Sequence, residues 1–388
     1  MKVGIDASNL RVGGGITHLV EILQEAKPLQ YGINQVIVWG GAETLEQLPT
    51  RRWLKLVHEP MLDKSLPFRL YWQTVVLEKK ACRSCDLLFV PGGNYAGKFR
   101  PYVTMFRNLL PFDEAEISRA GFSAHALKMH VLRAGQSATF RKAEGVIFLS
   151  EHTRSVIANR VGKLPGKSTV IPHGLSDRFR MSPRRQEDVR EYSTQRPIRI
   201  LYVSRIEFYK HPWHVAEAVA DLRKEGLPVA LDIAGSAHPP ALTRLFAALR
   251  KFDPKAEYLR YRGAIPFTEL HRLYREADLS VFASTCETMP NILLENMGAG
   301  LPIVCSNRRP MPEILRGGGT YFNPESPAQL RDELRRMIHD PELRASCAAE
   351  AYRLAEKFSW RACAEETFSF LARVGKARKS RMHPAMAS

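Results

Sequence analysis

The 388 residues are too many for one ordinary core, and at roughly 150 residues per domain they imply two or three domains. A composition of 45% hydrophobic and 25% charged residues, with 25 Gly and 25 Pro and no repeat, excludes collagen-like, mucin-like and broadly disordered chains. The charge is the unusual quantity: 57 Lys and Arg against 40 Asp and Glu leave +17, spread as +10 over residues 1–194 and +7 over 195–388.

Such a surplus suits a nucleic acid, an anionic membrane face or phosphorylated substrates. No zinc-finger spacing and no RNA-recognition run supports the first, so nucleic acid is not expected as a partner. No apolar run approaches the ~18 residues of a spanning helix. The opening MKVGIDASNL reaches Asp6 too soon for a signal-peptide core, so a soluble, cytoplasmic chain is expected. The six cysteines, at 82, 85, 286, 305, 347 and 363, are irregularly spaced and read as reduced thiols. Cys82 and Cys85 form a lone CxxC without the second pair that zinc requires.

In chain order, the first half offers strands at 2–6, 34–40, 87–91, 102–106, 145–150 and 168–172. Helical runs at 16–26, 68–81 and 124–143 lie between them. Near-continuous apolar strands alternating with helices indicate parallel sheets covered on both faces. The polar, proline-flanked stretch 176–197 reads as a linker. The alternation then restarts, with strands at 199–204, 229–235, 257–263, 278–284, 301–306 and 319–323. Its helices fall at 212–224, 239–251, 267–276, 290–299 and 326–338. Residues 342–374 read as two helices broken near 358–360, and the end of the chain is a basic tail. The expected fold is therefore α/β, with two successive doubly wound domains whose ligands sit at the carboxyl ends of strands. The domain limits are 1–175, a linker to 197, 198–356, a terminal helix 357–374 and the tail 375–388.

The densest chemistry lies in ASTCETMPNILLENMGAGLP, residues 283–302. Here a strand ends, a loop carries Glu287, and Pro290 opens a helix that bears Glu295 and stops at Gly298-Ala299-Gly300. A helix start at a strand's carboxyl end is a ready phosphate site. Two carboxylates eight positions apart suit a hydroxyl-rich, extended ligand. Taken alone, Glu287 reads as a solvated loop acid and Glu295 as a helix-surface charge. The apolar neighbours Ile292, Leu293, Leu294, Met297 and Ala299 argue instead that Glu295 is on a largely buried helix and needs a polar partner, which ribose hydroxyls would provide.

This Glu-x7-Glu pattern before G-x-G/A-x-P resembles the retaining glycosyltransferases of the GT-B class, family GT4. Other pieces follow in the same order. VSRIEFYKHP resembles the segment whose Arg and Lys clamp a donor diphosphate, here Arg205 and Lys210. Ala234-Gly235 is similar to the family's AG dipeptide, and Tyr261-Arg262-Gly263 to its base-pocket strand end. RVGGGITHL is similar to its glycine-rich first loop, with Gly13, Gly14 and Gly15 meeting phosphate through backbone N–H groups. The final FSWRACAEETFSFL resembles the helix that crosses back to the first domain.

The resemblance implies a GT-B fold of two Rossmann-like domains facing across a cleft. It implies a nucleotide diphosphate sugar donor, a glycan or lipid-linked acceptor, and transfer with retention. Glu295 is expected on the ribose and Glu287 with Thr288, Met289, Pro290 and Asn291 on the sugar. One departure is Arg107, which stands where relatives commonly carry a His that contacts the donor sugar. Arg107 is counted with Glu287 as a candidate catalytic group, able to pair with an anion but not to act as a general base. Scattered histidines and the lack of any Asp-x-Asp lead us to expect no metal and no cofactor beyond the donor. The basic helix 124–143 and the aromatic run Phe68-Arg69-Leu70-Tyr71-Trp72 raise contact with an anionic membrane surface. The competing readings are a silent sugar-nucleotide binder and an epimerase or hydrolase on the same fold.

Overall fold

The computed structural model describes residues 1–382 except Val12, Ala120, Phe122 and Pro165, and the side chains of 378–382 are not described. The expected basic tail thus lies partly outside the described residues, Arg378, Lys379 and Arg381 among them, while its backbone continues a helix to Met382. The chain forms two compact units, Met1–Gly174 joined by the segment from Ser359, and Leu175–Phe358.

Among the described residues the first unit holds a seven-stranded sheet in the order β3-β2-β1-β4-β5-β6-β7. The strands are β1 (Lys2–Asp6), β2 (Gln35–Gly40), β3 (Leu54–His58), β4 (Leu87–Val90), β5 (Tyr102–Met105), β6 (Gly145–Phe148) and β7 (Lys167–Val170). All pairings are parallel. Central β4, β5 and β6 are buried throughout, which is why they read as unbroken apolar runs. Edge strand β3 is not legible as a strand, because its sequence LKLVH is only half-buried and carries Lys55 and His58. The expected helix 68–81 is instead Leu66–Tyr71, a π-helical turn Trp72–Val76, and Leu77–Ser84. The wider turn directs both Trp72 and Gln73 inward. Trp72 donates to Glu59 Oε2 at 3.1 Å, and Gln73 donates to Asp6 Oδ2 at 2.9 Å. Trp72 is therefore core and not a surface anchor.

The second unit holds a six-stranded parallel sheet in the order β10-β9-β8-β11-β12-β13. Its strands are β8 (Ile198–Val203), β9 (Val229–Ala234), β10 (Leu259–Tyr261), β11 (Leu279–Phe282), β12 (Ile303–Ser306) and β13 (Thr320–Phe322). Its core joins Ile200, Leu231, Val281 and Val304 of the sheet to Val215, Val219 and Leu334 of the covering helices. Residues 176–197, expected as a linker, belong to this unit. Met181 N–H donates to Gly298 O at 2.8 Å, and buried Arg344 donates to Gln186 Oε1 at 3.1 Å, so fixed partners hold the segment down. In each sheet the chain first builds outward one way and then the other, which puts a topological switch point between β1 and β4 and another between β8 and β11.

Candidate functional site

The switch point of the second unit gathers the predicted residues from distant parts of the sequence. β8 runs into the loop bearing Arg205 and Lys210, and β11, its hydrogen-bonded neighbour, runs into the loop bearing Glu287. Lys210 Nζ forms an ion pair with Glu287 Oε1, the two side chains being only 9% and 14% exposed. The ammonium also lies 5.2 Å from the ring centre of Tyr209 and 5.5 Å from that of Phe282. Thr285 N–H donates to Tyr209 O at 2.9 Å, and the Tyr202 hydroxyl donates to Lys210 O. His211, in the left-handed region at φ 52°, then turns the chain directly into the helix Pro212–Lys224. A buried ion pair adds little net stability, because desolvation offsets the attraction. This one holds a cation and a carboxylate together at the sheet's carboxyl edge. Arg205, on the same loop, is half-exposed and bonds Glu207 Oε1 at 3.0 Å.

The next element is the helix Asn291–Gly298. Pro290, expected as its first residue, stands one position outside as the cap and accepts from Leu293 N–H at 3.1 Å. Thr288, Met289 and Pro290 are buried and Asn291 is half-buried. Glu295 is buried, as its apolar neighbours required, and its partner within the chain is the fully buried Tyr274, whose hydroxyl donates to Oε2 at 2.9 Å. Burial pushes the Glu295 carboxyl up to about 7, against the opposing pull of the Tyr274 hydrogen bond and the Arg178 charge. Neither Tyr274 nor Arg178 was legible beforehand: a tyrosine in an amphipathic helix looks like ordinary core, and an arginine in a basic chain looks like surface.

Two glycines end the neighbouring strands. At Gly235, φ is +145° and a Cβ would stand 1.9 Å from Ser204 O, so only glycine lets the β8 and β9 ends approach. Gly235 N–H donates to Gly263 O at 2.8 Å, and the Tyr261 hydroxyl donates to Gly235 O at 2.7 Å.

In the first unit, Gly13, Gly14 and Gly15 follow β1, but not as a free loop. Gly13 caps the helix Gly14–Glu25, and Gly14 and Gly15 form its first turn, because helical hydrogen bonds to Gly13 O already begin at Ile16 and Thr17. Arg107, just after β5, donates to Gly14 O at 2.5 Å and so braces that turn. Burial draws its guanidinium down to about 10, still charged at neutral pH. On the same helix His18 is fully buried, its pKa driven well below the usual imidazole value by burial, then by Arg107 and His173. Its Nε2 lies 3.7 Å from Cys363 Sγ. A single histidine on a helix gave no sequence signal for this packing. Among the described residues no three His, Cys, Asp or Glu side chains are grouped to hold a metal ion.

The sequence profile described as glycosyl transferases group 1 matches residues 184–354. The O-antigen chain mannosyltransferase B of Escherichia coli is 30% identical over 112 residues, a stretch that spans 29% of this chain and 29% of that protein. Sucrose-phosphate synthase of Thermosynechococcus elongatus superposes with a TM-score of 0.74 at 16% identity, over 97% of this chain and 100% of the other. HepE of Anabaena, solved with UDP and glucose, superposes with a TM-score of 0.69 at 18% identity, over 96% and 100%. These neighbours are GT-B proteins, and two parallel α/β sheets of seven and six strands give this chain the same fold class. Residues 184–354, somewhat less than half of the chain, are thus similar to the glycosyl transferases group 1.

Proposed function

We propose that the protein transfers a sugar from a nucleotide diphosphate sugar to a glycan or lipid-linked acceptor, with retention of configuration. The observation that carries this reading is the Lys210–Glu287 pair at the switch point, one turn of chain ahead of the helix bearing Glu295. An incoming pyrophosphate competes for Lys210 and is met also by Arg205. Glu287, released from its ion pair, then turns to the sugar hydroxyls with the Thr288–Asn291 segment. Ionised Glu295 accepts hydrogen bonds from the two ribose hydroxyls, and the Gly235 and Gly263 strand ends border the base. The first unit supplies the acceptor pocket and caps the donor phosphates through the Gly13–Gly15 backbone, and Arg107 pairs with the donor phosphate or an anionic acceptor.

In the transfer step the bond from the anomeric carbon to the phosphate oxygen breaks as the acceptor oxygen bonds from the same face. The acceptor's proton passes to the departing phosphate oxygen. Lys210 and Arg205 stabilise the charge that develops there, and Glu287 stabilises the oxocarbenium character of the sugar. The HepE complex supports the nucleotide part of the reading, and the O-antigen enzyme supports a glycan acceptor in envelope or exopolysaccharide assembly.

A thermal-shift panel of UDP, GDP, ADP and CMP sugars identifies the donor, and a transfer assay with the best binder follows. Glu287→Ala is expected to leave donor binding within about tenfold and to lower turnover by ~10²-fold or more. Near-normal turnover of the variant would refute the role of Glu287. A donor that binds yet is neither transferred nor hydrolysed would sink the enzyme reading itself.

A further inference from the structure

Among the described residues, all the exposed large apolar side chains of the first unit except Leu29 lie on two segments, 66–84 and 124–142. The helix Leu66–Tyr71 buries none of its residues, and Leu66, Phe68, Leu70 and Tyr71 are 46–53% exposed. On the helix Ala124–Lys142, Leu127 and Val131 stand one turn apart and are 66% and 64% exposed. A soluble helix ordinarily turns such residues inward. Here the π-helical turn gives the interior to Trp72 and Gln73 instead.

Both segments lie on one face of the sheet. The crossovers β3 to β4 and β5 to β6 step the same way along the strand order, and right-handed connections then put their helices on the same side. The exposed residues occupy the starting halves of both helical segments, toward the carboxyl ends of the strands. The 91–101 connection ties the two together: Lys98 N–H donates to Glu78 Oε2 at 3.1 Å, and Tyr95 N–H donates to Thr139 Oγ1 at 3.0 Å.

The same segments are strongly basic. Residues 64–84 hold five Lys and Arg with Glu78 as their one acid, and residues 123–142 hold four with no acid, so 41 residues carry +8 of the chain's +17. Lys79 and Lys128 are exposed, and Lys64 Nζ lies 5.1 Å from the Phe68 ring centre, so cations border the apolar residues directly.

We propose that this face of the first unit docks on an anionic lipid surface. Aliphatic and aromatic side chains enter the acyl boundary while the lysines meet lipid phosphates. A second copy of the chain is the poorer occupant, because a two-fold contact would press two such basic faces together. No helix of the described residues is long and apolar enough to cross a membrane, so the contact is superficial and reversible. The inference stands independently of the transferase reading.

The test is sedimentation of the full chain with vesicles of phosphatidylcholine alone and of phosphatidylcholine mixed with phosphatidylglycerol. Binding is expected on the mixed vesicles, at least about tenfold weaker on the neutral ones, and weakened by salt. The exposed substitutions Phe68→Ser with Leu127→Ser, and separately Lys64→Glu with Lys128→Glu, should each lower it by about tenfold or more while the circular dichroism spectrum stays unchanged. Equal partition onto both vesicle types, no partition onto either, or wild-type partition by folded variants would overturn the proposal. So would concentration-dependent dimerisation that the same substitutions abolish, which would assign the face to a second copy.

Discussion

Glu295 shows how a buried carboxyl works against the fold that holds it. Its carboxyl titrates at about 7 in the folded chain because burial disfavours the charge, against 4.5 ordinarily. The folded protein therefore keeps a proton that the unfolded chain releases. This contribution to stability is whole below pH 4.5 and declines as pH rises through 7, amounting to about 3 kcal/mol. Glu295→Gln keeps an acceptor for Tyr274 and removes the titration. Urea unfolding should find the variant about as stable as the parent near pH 5 and roughly 2–3 kcal/mol more stable near pH 9. An equal difference at both pH values would show that Glu295 does not titrate as described. On the proposed ribose contact, which calls for the ionised form, affinity for the nucleotide selected by the thermal-shift panel should rise across the same pH range, and the variant should lose that dependence. The burial of Glu295 was legible from Leu293, Leu294 and Met297; its bond to Tyr274, 21 residues earlier, was not.

Strand ends are the elements on which the candidate site depends, and two glycines there separate steric from conformational need. Gly235 has both a positive φ and a carbonyl oxygen 1.9 Å from any Cβ, whereas Gly263, at φ +70°, faces open space. Gly263→Ala should therefore lower stability by only about 1–2 kcal/mol, the ordinary left-handed penalty, while Gly235→Ala must also separate β8 from β9 and should lose more than about 3 kcal/mol. Equal losses in chemical denaturation would refute this distinction. Most elements were legible because their periodicity is local: buried strands are apolar runs, and Pro and Gly punctuate helices such as Asn291–Gly298. The exceptions are β3, an edge strand with one face open, and the segment 66–84, where a π-helical turn changes which residues face inward.

At the scale of the molecule, the chain leaves the first unit at Gly174 and returns at Ser359. The returning helix Trp360–Met382 completes that unit's core. Trp360, Phe368, Phe370 and Leu371 are buried, Phe368 meets Trp53 edge-on at 6.4 Å, and Gly145 leaves room for the Phe370 ring. At about 1.5–3 kcal/mol for each large side chain, these four contribute an amount comparable to the whole stability of an ordinary domain. Truncation after Phe358 should abolish the cooperative melting of the first unit while Leu175–Phe358 keeps its own transition, as followed by calorimetry. Two unchanged transitions would show that the helix is dispensable.

The sequence by itself determined most of the succession of strands and helices, the two-sheet α/β class, the basic charge and the candidate residues, because each is written in neighbouring residues or in composition. Tertiary structure alone decided that Lys210 pairs with Glu287, that Tyr274 meets Glu295, that Arg107 braces the glycine turn and that Leu66–Tyr71 faces outward. Each of those outcomes depends on which strand ends become neighbours and how much volume their helices leave. Those quantities arise only when residues tens of positions apart are packed together.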